Sequence, residues 1–172
     1  MSTHWSENPE TPSHLQSPLQ WALYNTERPV VDTLIALTLH NLFGRHPGVR
    51  ILSVENGSSW LKALFKTVDK AASLGRRGPM IGGQPSPRPS EALAGQLWVC
   101  PFPEDDVGEL IDAIGAGHVL FGSDYPHPEG LRAPADFASR LAGCGAGVTR
   151  MVLRGNAAGL LGLADHARCR AG

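Results

Sequence analysis

From Val30 to Phe43 apolar residues fall at Val31, Leu34, Ile35, Leu37, Leu39, Leu42 and Phe43, mostly three or four apart. That spacing predicts a helix with Asp32 as its candidate N-cap, stopped by Arg45-His-Pro-Gly48. Val49 to Glu55 is rich in β-branched and apolar residues between Gly48 and Gly57, which predicts a strand ending at Glu55. A helix capped by Ser58 or Ser59 follows, with Trp60, Leu61, Leu64, Phe65 and Val68 as its buried stripe. Leu97 to Phe102 reads as a second strand, and Glu104 to Ile114 as its helix, with acids in the first turn and Gly115 at its end. Val119 to Ser123 reads as a third strand, and Pro134 to Leu141 as the start of a third helix. A last helix is expected near Val148–Leu153, which Gly155 to Leu163 continues or follows with another.

This βαβαβα rhythm favours parallel strands joined by right-handed crossovers. Around it, residues 1–29 carry Pro9, Pro12 and Pro18 among polar residues and read as irregular, with at most one helical turn near Leu19–Tyr24. Residues 30–163 form the domain, and 164–172 read as a frayed tail. Between Gly75 and Ser90 glycines and prolines predict a long loop, a lid or simply a mobile connection.

The chain has 172 residues, enough for one domain with its own core but short of the about 250 of a closed eight-stranded α/β barrel. With 15 basic against 16 acidic residues it offers nothing to nucleic acid or to an anionic membrane. No secretory signal or membrane-length apolar run appears, so a cytoplasmic location is expected. Cys100, Cys144 and Cys169 are far apart and lack paired metal-knuckle spacing, which suits reduced thiols.

Candidate chemistry concentrates at Phe121-Gly-Ser-Asp-Tyr-Pro-His-Pro-Glu-Gly130, a strand exit crowded with acid, imidazole and turn formers. Asp124 could ligate a metal and accept a proton from its water, or it could simply close a Ser-Asp-Tyr-Pro turn on its own backbone. Glu55 ends another strand and could bind substrate on the same face, although a polar residue often closes a strand without a function. His127 is either an acid or substrate contact beside Asp124 or an exposed loop histidine. Tyr125 and Glu129 carry less signal. His40, His46 and His118 read as structural, and Trp60 and Trp98 as core.

Six segments in register resemble the C-terminal half of the amidohydrolase-related family, which includes the aminocarboxymuconate-semialdehyde-decarboxylase-like enzymes. They are Phe43-Gly-Arg-His-Pro47, Ser53-Val-Glu-Asn-Gly-Ser-Ser-Trp60, Arg88-Pro-Ser-Glu91, Gly122-Ser-Asp-Tyr-Pro-His127 with Glu129-Gly130, Pro134-Ala-Asp-Phe137 and Asn156-Ala-Ala-Gly-Leu160. The resemblance implies the C-terminal portion of a metal-dependent (β/α)8 barrel, about three parallel strands with their helices. It implies a divalent metal, commonly zinc, with Asp124 at the position of the family's ligating aspartate. The family's His-x-His pair has no counterpart in the chain, and Glu55 stands where decarboxylase-like members often carry a histidine.

The function implied is hydrolysis of a small carboxylate or cyclic substrate, with Asp124, Glu55 and His127 as site residues and Asp124 as the metal ligand. Little activity is expected of the chain alone. The alternatives are a carboxy-lyase of the same family and a non-catalytic half-barrel interaction module. A barrel this incomplete exposes strand edges, so self-association or a complementing N-terminal half-barrel chain is expected as partner.

Overall fold

The computed structural model describes residues 27–74, 82, 83, 85, 88–127 and 130–163. The expected turn near Leu19–Tyr24, most of the Gly75–Ser90 loop, Glu129, Cys169 and the tail lie outside them.

Helix α1 spans Glu27–Leu39, so it begins before the expected boundary and Asp32 is an exposed position inside it, not its N-cap. Asn41, in the left-handed region at φ 54°, separates it from the short α2, Leu42–Arg45. Strand β1 is Ile51–Ser53, shorter than the apolar run around it. Helix α3, Leu61–Leu74, buries Leu61, Leu64, Val68 and Ala72, a stripe at helical spacing.

Helix α4, Pro89–Ala94, occupies part of the stretch expected to be loop. Proline at its first position already has the fixed φ a helix needs. The Asp69 carboxylate anchors it by accepting from the Ser90 amide at 2.9 Å and the Ser90 hydroxyl at 2.7 Å. Strand β2 is Leu97–Val99, and α5 is Val107–Ile114. Helix α5 starts later than expected because Asp106, not Glu104, caps it by accepting from the Glu109 amide at 2.9 Å.

Strands β1 and β2 pair in parallel, Ile51 with Leu97, Leu52 with Trp98 and Ser53 with Val99. The expected third strand is reduced to a parallel bridge between Val99 and Val119, extended by the Leu120 amide donating to the Val99 carbonyl at 2.8 Å. Beyond Leu120 the chain leaves the ladder toward the Asp124 loop. A 3-10 helix, Pro134–Leu141, buries Phe137 and Leu141. The last helix runs as α6, Ala146–Arg150, a π segment, Met151–Gly155, and α7, Asn156–Leu160.

The core lies between these helices and one face of the strands, where Leu64, Val68, Leu97, Val99, Leu110, Val119, Phe137 and Val152 are buried. On the other face Leu52 and Val54 are about half exposed, at 46% and 53%. This follows from the two-residue alternation of a strand, which turns Ser53 inward and its neighbours out. Among the described residues no helix is long and apolar enough to cross a membrane.

Candidate functional site

The C-terminal ends of the strands meet at one rim. A small cleft there, about 70 Å³, is lined by Val54, Glu55, Cys100, Pro101, Phe102, Pro103, Gly122 and Asp124. Two of the three expected site residues, Glu55 and Asp124, are thus brought together by different strand exits.

Both acids sit in the left-handed backbone region, Glu55 at φ 60° and Asp124 at φ 53°. For a residue with a Cβ this conformation costs energy, and it persists only where the surroundings enforce it. At Glu55 the enforcement is a tight turn. The Asn56 side-chain amide donates to the Val54 carbonyl at 2.7 Å, and the buried Trp60 indole donates to the carbonyls of Asn56 and Gly57 at 2.8 and 3.1 Å. Gly57 turns left-handed as well, at φ 61°, and the Phe102 ring fills the space a Cβ would need.

At Asp124 the loop folds back on itself. The Leu131 amide reaches the Ser123 carbonyl at 2.8 Å, and the His127 amide reaches the Asp124 carbonyl at 2.8 Å. A Cβ on Gly130 would collide with the carbonyls of Asp124 and Ser123, so only glycine permits this closure. The Tyr125-Pro126 peptide bond is cis. His127 Nδ1 lies 3.4 Å from Asp124 Oδ2, with the imidazole largely exposed and the carboxylate mostly covered.

The floor of the cleft is Cys100, which sequence reasoning treated only as a strand thiol. It follows β2 and is buried against Gly122, where even a methyl group would strike its sulfur. Burial pushes the thiol pKa from 9.0 up to about 11, and the negative charges of Asp124, Glu55 and Asp105 add to that push. Cys100 therefore keeps its proton at neutral pH and is no nucleophile. Its position was legible in principle, because it ends the strand that lies between those of Glu55 and Asp124.

Asp105 is the other residue missed. Its Oδ2 accepts from the Phe102 amide and from the Ser58 hydroxyl, each at 2.9 Å, tying the loop after β2 to the loop after β1. Ser58, expected as a helix cap, spends its hydroxyl on this tie. Trp98, expected in the core, is half-buried outside it. It stacks on His118 with ring centroids 4.6 Å apart and donates to the Gly117 carbonyl at 3.0 Å. His118 Nδ1 lies 2.9 Å from the Leu97 carbonyl, in keeping with a structural role.

A catalytic zinc takes about three protein ligands and keeps one open position. Among the described residues no group of three or more His, Cys, Asp or Glu side chains could hold a metal ion. With no such group, the described residues do not by themselves fit the metal that the resemblance implies.

A family model described as amidohydrolase matches residues 15–163. Nineteen chains of solved structure match as well. One is an amidohydrolase from Mycobacterium avium subsp. paratuberculosis K-10, 36% identical, with a TM-score of 0.76 over 85% of this chain and 36% of its own. The chain thus spans little more than a third of the length of that solved relative. No protein of curated function matches.

Proposed function

The chain belongs to the amidohydrolase family, and from that premise we propose that it forms the C-terminal strand–helix units of a hydrolytic (β/α)8 barrel acting on a small carboxylate or cyclic substrate. The observation that carries this reading is the rim. Two carboxylates from separate strand exits, each held in a left-handed backbone, line one cleft above a protonated thiol. Catalytic groups of α/β barrels sit at this end of the strands.

In the proposed reaction Asp124 accepts the proton of a water attacking the substrate's carbonyl carbon. His127, beside it, returns a proton to the leaving nitrogen or oxygen. Glu55 orients the substrate from the facing loop. Cys100 and Phe102 give the cleft an apolar, water-poor floor. Asp124 also remains our candidate for the barrel's metal carboxylate.

The chain alone is expected to turn over little; complemented by an N-terminal half-barrel chain it should open small cyclic amides or lactones, with Asp124→Asn lowering that turnover by about 10²-fold or more, the range of a lost acid–base group. Unchanged turnover in Asp124→Asn sinks the assignment. Release of carbon dioxide from a carboxylate substrate would move it to the carboxy-lyase alternative. After zinc reconstitution and dialysis the chain alone is expected to retain little metal, and one tightly held zinc per chain would contradict the ligand shortage argued above.

A further inference from the structure

A second concavity, about 570 Å³ and sharing no residue with the rim cleft, runs along the last helix. Its size lies inside the roughly 300–1,000 Å³ that small-molecule sites take. Arg150 and Arg154, one turn apart, both line it and are both exposed. Among the described residues neither guanidinium has an ion pair and no acid lines the groove. Two guanidiniums side by side along a concavity suit an anion.

The rest of the lining suits an apolar body. Met151 and Leu163 are exposed hydrophobic residues along the groove. Gly155 and Gly159 present bare backbone, and a Cβ on Gly159 would meet nothing within 4 Å. The helix widens here into its π segment, in which the Asn156 amide donates to the Met151 carbonyl five residues back. Such segments recur at functional sites.

We propose that this groove binds a small organic oxyanion, a phosphate or carboxylate carried on an apolar body. The two guanidiniums hold the charged end, and Met151 and Leu163 cover the remainder. The site is independent of the rim chemistry.

The test is calorimetric titration of the full chain with phenyl phosphate and with benzoate, using phenol as the uncharged control. Saturable one-to-one binding of at least one anion is expected, weakened by added salt. The preferred anion identifies the headgroup. Arg150→Gln and Arg154→Gln should each weaken binding about 10-fold. Gly159→Leu, which has room for its side chain and raises helix propensity, should abolish binding while leaving the thermal melt intact or raised. The proposal is overturned if neither anion binds saturably, if phenol binds as well as the anions, or if all three variants bind like the parent.

Discussion

The two ends of the same short parallel sheet are built on opposite terms. At the N-terminal foot, side chains close backbone hydrogen bonds across elements. Asn156 donates to the carbonyls of Ala116 and Val119, both at 2.7 Å, His118 meets the Leu97 carbonyl, and Trp98 reaches the Gly117 carbonyl. At the C-terminal rim two acids stand in a backbone conformation that disfavours them, around a thiol whose proton their charge helps to retain. The foot stabilises the fold and the rim stores tension. That division is what an α/β barrel shows when chemistry is confined to one end of its strands.

The hardest way to break the contrast is at the foot. Asn156→Ala removes two part-buried hydrogen bonds, and the Ala116 carbonyl keeps only the Val119 amide as donor, so urea unfolding should report a loss of about 2–3 kcal/mol. A loss below about 0.5 kcal/mol would show that the foot is no anchor.

A smaller effect should come from the thiol. Because its folded pKa lies above its unfolded value, the native state holds the proton more tightly and the unfolded chain releases it first. Stability should therefore fall by roughly 2 kcal/mol as pH rises from 9.0 to about 11, measured as the difference between the parent and Cys100→Ala. Parallel curves for the two proteins would contradict the buried, acid-ringed site.

The smallest effect should have the opposite sign. Glu55→Gly relieves the left-handed penalty and should stabilise the fold by about 0.5–1 kcal/mol after the added chain entropy of glycine is counted. Destabilisation would mean that the turn is not strained.

Which parts of this were legible in the sequence follows from which contacts are local. The stripe of Leu61, Leu64 and Val68 and the existence of the first two strands were readable because helical and strand periods are written into neighbouring residues, although β1 stops at Ser53, two residues short of Glu55. The third strand was not, since an apolar run such as Val119-Leu-Phe looks the same whether it meets a full ladder or a single bridge. Helix α4 was hidden by its own proline, which reads as a loop signal unless Asp69, some twenty positions earlier, is known to hold Ser90. The π segment escaped for a similar reason, because no period in Met151-Val-Leu-Arg-Gly marks a widened turn. Cys100 and Asp105 were missed because their importance lies in what other loops bring to them.

The Asp105 carboxylate, shared between Phe102 and Ser58, couples two loops that the chain separates by more than forty positions. Any attempt to reshape this rim by exchanging one of those loops from a relative would carry half of a clasp and leave the other half behind. Successful grafts should transplant both as a pair, and natural variants are expected to change them in concert.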